Sequence, residues 1–212
     1  MPTFPNIKDL KHFEVVFFDL DNTLYAYDPA HKAALEATLI KFAYEHDIDM
    51  DTANNLYREA RKVINHRLHG QAASHSRLLY FKEMIQALNH HTRFSDALQF
   101  EKIYWQHFLT EMQIFPEALK LIKQLSKRGI ALGIITDLTT QIQLQKMKKL
   151  KLESYFKHLI TSEEVGVEKP HSSIFYHALN LFDVKGETCA MIGDNTKTDQ
   201  GAEQVGMQFF LV

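Results

Sequence analysis

Hydrophobic and polar positions divide the chain into stretches of different period. Val15-Val16-Phe17-Phe18 is an unbroken run of β-branched and aromatic residues, the composition of a strand covered on both faces of a parallel sheet. It leads straight into Asp19-Leu20-Asp21-Asn22-Thr23-Leu24. Side chains two apart on an extended segment point the same way, so Asp19 and Asp21 converge. From Tyr25 to about Gln113 no buried strand is predicted, and apolar residues recur at helical spacing instead. Leu35, Leu39, Phe42 and Ala43 mark one helix, and Ala53, Leu56, Tyr57, Ala60 and Val63 a second. A third begins near Ser76 with Leu79, Tyr80, Met84 and Leu88, and a fourth covers Ala97 to Met112. Aromatics at this spacing are read as packing.

From Phe115 the pattern alternates between helix and strand. Pro116 suits a first helical position, and that helix runs through Leu125 and stops before Gly129. Ile130 to Ile135 is a second buried strand. A helix over about 140–150, a short strand near His158–Ile160, a helix over about 172–182, and strands at Thr188–Ile192 and Gln208–Val212 follow. Strands alternating with helices imply a parallel sheet with helices on both faces. The expected fold is α/β, a doubly wound, Rossmann-like parallel sheet core made of residues 1–25 and 114–212. A helical domain, residues 26–113, is inserted into it.

Composition narrows the functional classes. The 212 residues, 45% hydrophobic and 24% charged, describe an ordinary globular chain. A net charge of -2 provides no basic field for a nucleic acid polymer or an anionic membrane. There is no signal-peptide core and no apolar stretch long enough to span a bilayer. The lone Cys189, in an apolar run, reads as a small buried hydrophobe. A cytoplasmic location, as monomer or homodimer, is the expectation.

In an open parallel sheet, ligands bind beyond the carboxyl ends of the strands. The polar residues predicted there are Asp19 and Asp21, Thr136-Asp137, and Gly193-Asp194-Asn195, with Asp199 just beyond. Lys169, held before Pro170, adds an ammonium. Crowded carboxylates repel unless a cation neutralises them, and an all-oxygen site suits Mg²⁺ together with a substrate phosphate. An Asp-X-Asp alone is equally compatible with a helix cap or Asx-turn, so the weight falls on the whole set. No Cys-His metal spacing and no serine elbow offers another chemistry. His90-His91 reads as a solvated helix end.

Asp19-Leu20-Asp21-Asn22-Thr23, Thr136 after a buried strand, Lys169-Pro170, and Gly193-Asp194 with Asp199 resemble, in order, the four motifs of the haloacid dehalogenase-like superfamily. The inserted helices are similar to the cap domain that one branch carries between its first two motifs. The resemblance implies Mg²⁺-dependent phosphoryl transfer through an aspartyl-phosphate. Asp19 is then the nucleophile and Asp21 the general acid and base. Thr136, Asp137 and Lys169 form the phosphate site, and Asp19, the Asp21 carbonyl and Asp194 the metal site. Asn195 and Asp199 support them, Asp199 either in the metal shell or orienting Lys169. The chain departs from the family pattern in having Asp137, often Asn there, and Asn195, often Ser or Thr.

The second carboxylate, Asp21, favours a phosphomonoesterase over a 2-haloacid dehalogenase or a silent binding module. Ser162 to Pro170, followed by Ile174-Phe175, is similar to the nucleotidase-type branch. A small phosphomonoester such as a nucleoside monophosphate is therefore expected, with sugar phosphates, acylneuraminate phosphates included, as the alternative. Discrimination between esters is expected from the insert, with Tyr27 and Arg77 as candidates. Arg77 ends the polar break from Gly70, which is either a specificity loop or a plain surface connection.

Overall fold

The computed structural model describes residues 2–88 and 93–212, so His90-His91 lies outside the described residues. In chain order the elements are α1 (Ile7–Leu10), β1 (Val15–Phe18), α2 (Tyr27–His46), α3 (Met50–Arg67), α4 (Arg77–Ala87), α5 (Phe94–Glu111) and α6 (Pro116–Lys127). Then come β2 (Ala131–Thr136), α7 (Thr140–Leu150), β3 (His158–Thr161), α8 (Ser162–Val165), α9 (Ser172–Phe182), β4 (Cys189–Gly193) and β5 (Gln208–Leu211). Two compact units form: Met1–Ala26 with Gln113–Val212, and Tyr27–Met112.

The first unit is the α/β sheet, ordered β3-β2-β1-β4-β5 with every neighbouring pair parallel. β1 and β4 are buried along their whole length, as their apolar runs require. Phe17 pairs in register with Gly133 and Met191. A Cβ at Gly133 would lie 2.6 Å from the Phe17 ring, so glycine makes room for an aromatic on the neighbouring strand. Phe17 in turn meets Phe182 of α9 edge-on at 5.0 Å. The chain lays down β1, β2 and β3 in one direction, then β4 and β5 on the opposite side of β1. That reversal opens a crevice beyond the carboxyl ends of β1 and β4.

β2 and β4 each begin one residue later than expected and take in Thr136 and Gly193, so the polar rim starts within the strands themselves. The helical unit packs α2, α3, α4 and α5 around buried aromatics, including Phe42, Phe81, Phe100 and Phe108. Phe42 and Phe100 lie 5.0 Å apart, so these rings are core. Asp49 and Ser76 cap α3 and α4 by accepting from Thr52 N and Leu79 N. Val63, expected on the buried face of α3, is 38% exposed, because the stripe runs through Ala60 and Ile64 instead. The break from Gly70 contains a short 3₁₀ helix, Ala72–His75, and it buries Ala72, Ser74 and Arg77. It therefore sends three side chains into the interior, while Gln71 stays exposed. No helix among the described residues is long and apolar enough to cross a membrane.

Candidate active site

Asp19 leaves the end of β1 with its backbone N–H donating to Ile192 O of β4 at 2.9 Å. This fixes it at the crevice, where it is 6% exposed. Asn22 then takes the left-handed conformation (φ 63°) that Asn tolerates, and the chain turns back. The turn brings the Thr23 hydroxyl within 3.0 Å of Asp19 Oδ2 and 3.4 Å of Asp194 Oδ1. Lys169 Nζ donates to Asp19 Oδ1 at 2.7 Å, Asp199 Oδ1 at 2.6 Å and the Ile135 carbonyl at 3.1 Å. All three ammonium protons are thus committed. Asp199, fully buried, also accepts from Asn195 N. It can lie there because residue 193 is glycine, where a Cβ would overlap the Asp199 carboxylate.

Asp19, Asp194 and Asp199 each present an oxygen within 4.8 Å of the others. With every group ionised, three carboxylates beside one ammonium give the cluster a formal excess of two negative charges. Burial raises the Asp19 carboxyl well above its ordinary range, Lys169 opposes that, and Asp199 adds to it. Burial also raises Asp194, with Asp199 adding to it. For Lys169, burial acts downwards and is outweighed by Asp19, Asp199 and Asp137, so its ammonium is held firmly protonated. Hard oxygen donors with that charge excess fit a divalent cation such as Mg²⁺.

Thr136, 1% exposed, closes the far side of the rim. Gln143 of α7 donates to its Oγ1 at 2.7 Å and to Asp137 O at 2.6 Å. The Thr136 hydroxyl itself donates to the Asp137 carbonyl at 3.3 Å. Asp137 uses its carboxylate to accept from Lys169 N at 3.0 Å, so it braces the lysine's backbone. Leu138 follows at φ 99°, an unusual conformation for a side chain of this kind, and its N–H donates to Ser162 Oγ.

Asp21 has partners that the sequence reading did not name. Lys146 Nζ lies 2.7 Å from both Asp21 oxygens, and the Tyr25 hydroxyl donates to Oδ1. Lys146 is fully buried. Gln143 and Lys146 sit among Ile142, Met147 and Leu150 on the buried face of α7. Polar residues in an apolar helical stripe were the available signal. In the helical unit, Tyr27 opens α2 and Arg77 opens α4, and the Arg77 guanidinium donates to the Tyr27 hydroxyl. The two selectivity candidates are therefore brought together.

Comparison with known proteins identifies relatives of the chain. The family model described as haloacid dehalogenase-like hydrolase matches residues 16–212. A ribulose-1,5-bisphosphate 5-phosphatase of Halopiger xanaduensis is 38% identical over 199 residues, covering 92% of this chain and 83% of its own. A glyceraldehyde 3-phosphate phosphatase of Pyrococcus furiosus is 32% identical over 204 residues, covering 94% and 80%. Among solved structures, a 2-haloacid dehalogenase of Pseudomonas syringae aligns with TM-score 0.72 at 25% identity over 94% of this chain and 86% of that one.

Proposed function

Because the chain belongs to the haloacid dehalogenase-like hydrolases, we propose that it is a Mg²⁺-dependent phosphomonoesterase acting on a small phosphorylated sugar. The observation that carries this reading is Lys169 Nζ bridging Asp19 and Asp199 beside Asp194, at the carboxyl ends of β1 and β4. An ammonium and a carboxylate cluster with two surplus negative charges suit a metal and a phosphoryl group together.

Asp19, the Asp21 carbonyl and Asp194 would hold the metal, with Asn195 at the edge of the shell and Asp199 orienting Lys169. When bound, Mg²⁺ supplies the neutralisation that lets one anion approach another. Lys169 would hold a phosphoryl oxygen by exchanging its bond to Asp19 for one to the phosphoryl group, and the Thr136 hydroxyl would hold another. Asp137 acts on that site through the lysine backbone it braces.

An Asp19 oxygen forms a bond to phosphorus while the ester P–O bond breaks, and Asp21 gives its proton to the departing alkoxide. Water then bonds to phosphorus, passing a proton back to Asp21, and the Asp19–phosphorus bond breaks. Asp19 is regenerated and inorganic phosphate leaves. Lys146 and Tyr25 orient Asp21 for both transfers.

The sugar-phosphate reading is supported by relatives whose names describe a bisphosphorylated pentulose and a triose phosphate as substrates. Nucleoside monophosphates remain a second reading, favoured by the resemblance of Ser162–Pro170 to nucleotidases. Dehalogenation is less favoured, because an acid for an alkoxide leaving group, Asp21, is present and held in place. The test is phosphate release from a panel of sugar phosphates, nucleoside monophosphates and p-nitrophenyl phosphate, with halide release from 2-haloacids measured alongside. Sugar phosphates should give the highest kcat/KM. A preference for nucleotides would replace the substrate assignment, and halide release without phosphate release would overturn the reaction.

A further inference from the structure

Arg77 is 6% exposed in the interior of the helical unit, and among the described residues no carboxylate forms an ion pair with it. Its Nη1 donates to the His75 carbonyl at 2.5 Å, and its Nη2 donates to the Tyr27 hydroxyl and, at 3.4 Å, to the Tyr104 hydroxyl. Its Nε is buried with no hydrogen-bond partner among the described residues. The guanidinium carbon lies 5.6, 5.3 and 5.4 Å from the ring centroids of Tyr80, Tyr104 and Trp105. Ring faces and neutral hydroxyls solvate a cation in part but do not neutralise it.

The His31 imidazole adds no competing charge. His31 Nδ1 lies 2.7 Å from Tyr104 Oη. Burial, with the charges of Arg77 and Arg61, pushes its pKa down to about 4, so the ring is neutral near pH 7. Hydroxyls, a neutral ring and one planar guanidinium fork make a cage whose missing component is negative. The fork matches the paired oxygens of carboxylate or phosphate, which a lysine in its place would not. Leaving a donor such as Nε dry and unpaired is costly for a residue whose only task is to tie helices together.

We propose that Arg77, with the hydroxyls of Tyr27 and Tyr104, forms an anion-binding site that takes a phosphate or carboxylate group. The anion is a free oxyanion acting as an effector, and its site does not rest on the phosphomonoesterase reading.

The test uses the full chain, Arg77→Lys and Tyr27→Phe. Arg77→Lys keeps the charge without the fork, and Tyr27→Phe removes one hydroxyl and is expected to fold. Inorganic sulfate, which is not a product, is titrated while Tm is followed, with Lys169→Gln in parallel to account for sulfate bound at the catalytic rim. The proposal predicts a sulfate-dependent rise in Tm that survives in Lys169→Gln and shrinks in both helical-unit variants. A sulfate effect that is absent from wild-type protein, or unchanged in both helical-unit variants, overturns the site. If wild-type protein hydrolyses no ester but the sulfate effect disappears in Arg77→Lys, the phosphomonoesterase reading fails and the anion site stands.

Discussion

Lys169 in one unit and Arg77 in the other are buried cations whose surroundings are opposite in sign. Lys169 is 5% exposed among Asp19, Asp199 and the Asp137 carboxylate that braces its backbone. Arg77 is 6% exposed among tyrosine hydroxyls and ring faces. The first cluster has too few positive charges for its carboxylates, and in the second no carboxylate among the described residues is ion-paired with the guanidinium. Buried charges persist when something compensates them, so each imbalance defines a complementary ligand: a divalent cation at the sheet rim and an oxyanion in the helical unit. The rim holds its groups through backbone anchors at strand ends, such as Asp19 N to Ile192 O. The helical cluster relies more on side chains, with the His75 carbonyl accepting from Arg77 and the Ser74 carbonyl from Tyr80.

The largest expected effect breaks the rim. Asp19→Asn keeps the volume and removes the nucleophile, so phosphate release should fall by at least about 10³-fold, on the scale seen when a nucleophile is removed. Circular dichroism should show the fold intact. Retention of a substantial rate would show that the rim does not act through Asp19.

A second experiment sharpens the contrast through the charge excess. Mg²⁺ binding only the folded state should raise stability by about 2.7 kcal/mol at a hundredfold excess over Kd. That gain should vanish in Asp194→Asn and be unaffected by Arg77→Lys. Loss of the gain in Arg77→Lys would dissolve the distinction between the two clusters. Excess chelator should silence hydrolysis reversibly, and Ca²⁺, with its looser coordination, should inhibit.

A third effect concerns the arm of the rim that faces Asp21. Lys146→Met leaves Asp21 with Tyr25 alone, so kcat should drop by roughly 10–10²-fold, within the range of general acid–base contributions. The loss should be greater for an alkyl phosphate than for p-nitrophenyl phosphate, whose leaving group needs little protonation. Equal losses on both would reduce Lys146 to a packing residue. The smallest effect lies away from both clusters. Burial raises the Cys189 thiol to about 11, and Sγ lies 3.3 Å from the Lys185 carbonyl. Because a raised pKa keeps the thiol protonated at pH 8, native protein should resist iodoacetamide there and react only once unfolded.

Much of this was legible in the sequence. The apolar runs of β1 and β4 predicted buried parallel strands because the fold demands burial on both faces, and Asp19 and Asp194 stand at their ends. Lys169 was placed by its proline neighbour. What could not be read were contacts between residues far apart in the chain whose local pattern looks ordinary. Lys146 reaches Asp21 from a helix 125 positions away, and Gln143 orients Thr136 from the same buried stripe. The role of Asp137 as a backbone brace depends on where the Lys169 amide falls, which no spacing specifies. Arg77 could be singled out as a polar residue in a break, but its lack of a counter-charge emerges only once the helices have packed.

The central claim is that phosphate passes through Asp19. The most direct measurement is to mix enzyme, Mg²⁺ and a sugar phosphate, quench within one turnover, and reduce with borohydride, which converts an aspartyl-phosphate to homoserine. Asp21→Asn is run in parallel, since it slows attack by water and should let the intermediate accumulate. Peptide mass spectrometry should then find homoserine at position 19 and at no other carboxylate, only when substrate is present. Steady phosphate release with Asp19 unconverted in both proteins, or conversion at Asp194 or Asp199 instead, would contradict it.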